Sequence, residues 1–86
     1  MLRVAMLIDL PPTQPYHMAT LAAVEHAAGA LGVEAMACVL RTPTIPADLS
    51  DYAAVIVGPG SPYDDPEAAH RAIATARERG IPLVGT

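Results

Sequence analysis

The chain has 86 residues and a net charge of −4, from nine acids against five arginines, with no lysine. That balance, with no basic cluster, argues against a nucleic-acid partner. No apolar run approaches the roughly 18 residues that span a bilayer, and Met1-Leu2-Arg3-Val4 enters a strand pattern without room for a signal peptide. The single Cys38 excludes an internal disulfide, and a cytoplasmic protein is expected. This length allows one small domain or part of a larger one. With 52% apolar residues, no Phe, no Trp and three tyrosines, its core must come from Val, Ile, Leu, Met and Ala.

Residues 4–8 read as a first buried strand ending at Asp9. The segment 10–16, Leu-Pro-Pro-Thr-Gln-Pro-Tyr, is too proline-rich to be helical or paired. A helix is expected over 17–31, with Met18, Leu21, Ala22, Glu25, Ala28 and Leu31 at three-to-four spacing and Gly32 as its stop. Residues 34–40 form the next strand. A loop over 41–51, with a reach of roughly 35 Å, suffices to return along the strand and step over one neighbour. Asp64-Asp65-Pro66-Glu67 is a helix start: an Asp cap, proline at the first helical position and acid in the first turn. The helix it opens runs to about residue 79, burying Ala69, Ala72, Ile73 and Ala76, and closes at Gly80. A last strand is expected over 81–84. The order β-α-β-loop-β-α-β means an α/β domain with a parallel sheet. Two helices on four strands leave one sheet face poorly covered, so the chain reads as the first half of a larger domain.

The stretch around which the rest is organised is 52–62. Residues 53–57, Ala-Ala-Val-Ile-Val, form a short apolar run that fits a strand buried on both faces. It stops at Gly58-Pro59-Gly60-Ser61-Pro62. The two prolines have no N–H, so the available donors are the amides of Gly58, Gly60 and Ser61. Gly60 lacks a Cβ and admits close approach of a ligand. Ligands of open parallel sheets bind at the carboxyl ends of the strands, which makes this turn a candidate anion or oxyanion site.

The segments 52–63 and 80–86 resemble the class I glutamine amidotransferases, the glutaminase domain of CTP synthase and its free-standing relatives in particular. In that family a strand ends in a Pro-Gly-Gly-type turn, here Gly58-Pro59-Gly60-Ser61. A helix follows, then Gly-Ile-Pro-x-x-Gly-x, matched by Gly80-Ile81-Pro82-Leu83-Val84-Gly85-Thr86. The resemblance implies a three-layer flavodoxin-like α/β fold, sheet order 2-1-3-4, of which this chain is the amino-terminal half, ending just before the nucleophile elbow. It implies hydrolysis of the glutamine side-chain amide through a cysteinyl thioester. Gly60 and Ser61 supply oxyanion-hole amides, and Gly58, Gly60 and Ser61 form the substrate-binding turn. Neither cofactor nor metal is implied. Glutamine is the implied substrate. The implied partners are a synthase domain or subunit that passes the ammonia to UTP or another acceptor, the remainder of the domain, and a further copy of the chain. One departure is that Gly-Pro-Gly-Ser-Pro replaces the commoner Pro-Gly-Gly-x-Gly, giving a stiffer loop with fewer donors. The family's Cys, His and Glu triad has no counterpart among these 86 residues, and acyl transfer needs a thiolate and its base.

Other chemistry-bearing residues have plainer readings. Cys38 lies inside an apolar strand pattern, where cysteine acts as a small hydrophobe. His17, His26 and His70 share no metal-ligand spacing; His26 and His70 are expected on exposed helix faces, and His17 alone falls near the carboxyl ends of the strands. Asp64 and Asp65 are better explained by the helix start than as an acid pair. Tyr16 and Tyr63 are candidate pocket walls. Gly58-x-Gly60 lacks the third glycine of a dinucleotide fingerprint, with Tyr63 in its place. Two alternatives remain open. One is a non-catalytic binding or regulatory module on the same fold. The other is an intracellular protease or deglycase, which requires an acid near the end of the first strand, where Asp9 stands.

Overall fold

The computed structural model of the chain describes residues 1–9, 15–58 and 63–85, with the backbone alone at 16 and 17. In chain order the elements are β1 (Leu2–Leu7), α1 (Pro15–Leu31), β2 (Ala35–Leu40), a 3-10 turn at Thr42–Thr44, β3 (Ala54–Val57), α2 (Pro66–Arg79) and β4 (Leu83–Gly85). The four strands form one parallel sheet in the order β2-β1-β3-β4, as expected from the sequence.

The sheet has two inequivalent faces. Register pairs Ala5 with Val55 and Leu7 with Val57, so these four side chains share a face. With Leu49, Ala72 and Ala76 they form the core under α2. Met6 and Ile8, of the opposite parity, are also fully buried and lie on the other face. The chain moves one way from β1 to β2 and the other way from β3 to β4. Right-handed crossovers therefore place α1 and α2 on opposite faces, and α1 packs along β2.

Helix α2 matches its expected bounds. Asp65 caps it by accepting the amide of Ala68 at 3.1 Å, and Pro66 opens it. Gly80 (φ 69°) closes it in the left-handed conformation that glycine adopts without a Cβ penalty. Ala68, Ala69, Ala72 and Ala76 are buried, and Ile73 is half-buried. The same closure delays β4. The amide of Ile81 donates back to the carbonyl of Ala76 at 2.8 Å and Pro82 has no amide, so the strand begins at Leu83 instead of 81, with the Pro82 carbonyl accepting the Val55 amide at 2.9 Å just before it.

Helix α1 departs from expectation at both levels. It begins at Pro15, inside the segment read as non-helical, because a first-turn proline needs no donor there. Its expected stripe is not a buried stripe: Met18 is 58% and Leu31 77% exposed, and among its described side chains only Ala28 is buried. Alanine and other apolar residues occur on every side of α1, so no single face is selected for the sheet. Among the described residues no helix is long and apolar enough to cross a membrane.

Candidate functional site

β1 and β3 are neighbours whose chains leave in opposite directions, to β2 and to β4. This divergence is the switch point at which open parallel sheets hold ligands, outside the carboxyl ends of the strands. The described residues there are Ile8 and Asp9 after β1, Arg41 and Thr42 after β2, and Gly58 with Tyr63, Asp64 and Asp65 after β3. Gly60 and Ser61, the expected oxyanion donors, lie outside the described residues together with Pro59 and Pro62.

Gly58 is a hinge post, and its amide is not a free donor. That amide extends the β3 ladder by one residue, donating to the Leu7 carbonyl at 3.0 Å. The sequence counts this amide among the available donors of the turn; in the folded chain it is committed to the ladder. Its carbonyl accepts the phenolic O–H of Tyr63 at 2.7 Å. A Cβ at Gly58 would stand 2.3 Å from Cγ1 and 2.7 Å from Cδ1 of Ile8, so glycine is required by packing against β1. Tyr63 is half-buried; burial, with a smaller contribution from the Asp9 carboxylate, holds its phenol above the usual tyrosine pKa.

Asp9 is the centre of a polar cluster that ties the loops after β1, β2 and β3. Its side chain is only 4% exposed. One carboxylate oxygen accepts the amide of Thr42 at 2.8 Å. The other accepts the Thr42 hydroxyl at 2.7 Å and the amide of Asp64 at 2.9 Å. The Thr42 hydroxyl, fully buried, in turn accepts the amide of Asp65 at 2.9 Å. Arg41 stands at the rim, 3.9 Å from Asp9 and paired with Asp64.

Burial alone would push the Asp9 carboxyl up. The hydroxyl and amide of Thr42, the amide of Asp64 and the Arg41 charge outweigh it and hold the carboxyl below its ordinary 3.8. Ionised Asp9 is therefore favoured by folding. Its contribution to stability is present above about pH 4 and is lost as pH falls through the depressed folded-state value.

The remaining candidates fall elsewhere. His26 and His70 are exposed, as expected. Cys38 is half-buried in β2, in register with Ala5. His17 and Tyr16 lie in the first turn of α1, and their side chains are outside the described residues. No group of His, Cys, Asp and Glu able to hold a metal ion occurs among the described residues. A cavity of about 250 Å³ between the loop after the 3-10 turn and α2, bounded by Ile45, Leu49, Ala68, Arg71 and Thr75, shares no residue with the switch point.

Reading the sequence singled out neither Arg41 nor Thr42. Arg41-Thr42-Pro43 after a strand signals a turn, but the partners of Thr42 lie 33 and 23 residues away, beyond the reach of any local pattern. No family model, curated protein or solved structure matches the chain.

Proposed function

We propose that the chain is the amino-terminal half of a class I glutaminase-type domain, flavodoxin-like in fold, whose turn at 58–63 holds the side-chain amide of glutamine. The observation that carries this reading is that the described ends of the turn are pinned. Gly58 is locked between the ladder and Ile8, and Tyr63 hydrogen-bonds back to it. Gly58 and Tyr63 are thereby held at the switch point, and donors that need no reorganisation are what charge stabilisation in this reading requires.

In the reaction so assigned, a thiolate supplied by the other half of the domain attacks the amide carbon of glutamine. The C–N bond breaks as the nitrogen takes a proton and leaves as ammonia. Water then cleaves the thioester to give glutamate and the free thiol. By the resemblance, the amides of Gly60 and Ser61 hold the oxyanion, an effect of about 3–4 kcal/mol per donor in comparable sites. A synthase partner takes the ammonia, with UTP or another acceptor by that same resemblance. The acid that the protease or deglycase alternative requires would be Asp9, whose carboxylate accepts from Thr42 and Asp64.

The test uses the protein as its gene encodes it, incubated with glutamine and with a diazoketone analogue of glutamine that alkylates nucleophilic thiols. Ammonia release, with labelling of a cysteine other than Cys38 and loss of both in Gly60→Val, is the expected result. No ammonia and no labelling would leave the non-catalytic binding module as the function of the fold.

A further inference from the structure

We propose that the open cavity between α2 and the loop after the 3-10 turn binds a small aliphatic monocarboxylate, whose charge is held by Arg71 and Thr75. The cavity shares no residue with the switch point, so this assignment stands apart from the glutaminase reading.

The cavity arises where the connection from β2 to β3 has no helix. Residues 45–49 run beside α2 as irregular chain, and Leu49 enters the core with Ala72 and Ala76. Irregular chain lacks the regular ridges with which one helix fills the grooves of another, and about 250 Å³ is left open here. That is the space of about eight water molecules in the liquid.

Ala68, Arg71, Ala72 and Thr75 share one side of α2, at the three- and four-residue spacing of helix neighbours. Buried Leu49, Ala68 and Ala72 make the floor apolar, and half-buried Ile45 adds an apolar wall. The polar side chains, Arg71 and Thr75, both carry donors. Among the described residues neither has an ion pair or a hydrogen-bond partner for its side chain. By contrast, Arg3 lies over the Tyr52 ring and Arg41 pairs with Asp64. The nearby amides of Ala68 and Ala69 are already given to Asp65. A phosphate, which binds where several backbone amides converge, is therefore poorly matched. One guanidinium, one hydroxyl and an apolar floor match a single carboxylate on a branched hydrocarbon, its two oxygens meeting the planar fork of the arginine.

The test titrates the full protein, labelled with nitrogen-15, with isocaproate, a branched carboxylate of this size, and follows the amides by NMR. Shifts at Leu49, Arg71, Ala72 and Thr75 that saturate with a Kd of about 1 mM are expected of so small a ligand. Isocaproamide, uncharged and of the same shape, should bind about tenfold more weakly. Arg71→Gln should weaken isocaproate about tenfold and Thr75→Val about threefold. Arg77→Gln, elsewhere on α2, should leave binding unchanged; Arg71 and Arg77 are both exposed, so the fold should survive either change. Absence of shifts at these residues up to about 20 mM isocaproate would overturn the proposal. Equal binding of isocaproamide, or equal weakening by Arg71→Gln and Arg77→Gln, would do the same. Inorganic phosphate moving the same amides at the same concentration would overturn the carboxylate assignment. The comparison of isocaproate with isocaproamide needs no variant, so it decides the matter whatever the substitutions do to folding.

Discussion

The two helices are both rich in alanine, yet they belong to the protein in different ways. α2 carries an Asp65 cap, Pro66, Glu67 in its first turn, Arg77 and Arg79 in its last, and a row of buried alanines. α1 has no acid in its first turn, no base in its last, and apolar residues all round. Charged and polar residues on α2 assign one side to water and leave the alanines for the sheet, so its orientation is specified. α1 has no such assignment, and it leaves Met18 and Leu31 in solvent. Burial of a small side chain therefore follows where the polar residues sit, since alanine alone selects no face.

The widest gap between the helices should appear on placing a charge in each. Ala76→Asp buries an unpaired carboxylate at a position with no exposure and should cost about 3–5 kcal/mol, enough to unfold a small domain. Ala27→Asp, on an exposed position of α1, should stay within about 1 kcal/mol; urea midpoints measure both. An equal loss at both sites would mean that α1 is as tightly packed as α2.

The route into α2 comes next in size. Gly58→Ala drives a methyl into Ile8 and should cost about 1–3 kcal/mol. In a double-mutant cycle with Ile8→Ala, the combined loss should be less than the sum, because removing the Ile8 branch relieves the clash. A strictly additive pair would show that the glycine answers to something other than that contact.

Capping is a smaller effect. Asp65→Ala removes the acceptor for the Ala68 amide and should cost about 1 kcal/mol, and unchanged thermal stability would count against the cap. The smallest change is a gain, on the other helix. Gly29 sits inside α1 with open space around a built Cβ, so Gly29→Ala should stabilise by about 0.5–1 kcal/mol. A loss there would reveal a close neighbour of α1.

The division between what was and was not legible follows the range of each interaction. By itself the sequence determined the alternation of strands and helices, the ends of α2 at Asp65 and Gly80, the stop at Gly32 and the order of the sheet. Caps, glycine stops and apolar runs act over a few neighbouring residues, and crossover rules leave few ways to connect the strands. Only the tertiary structure decided that the Gly58 amide is consumed by Leu7, that Ile81 is drawn back into the end of α2, and that α1 leaves most of its apolar surface uncovered. It alone brought Asp9, Arg41, Thr42 and Asp64 together from the ends of three strands. Such contacts join residues more than twenty positions apart, and their geometry exists only once the parallel register has set the carboxyl ends of β1, β2 and β3 side by side.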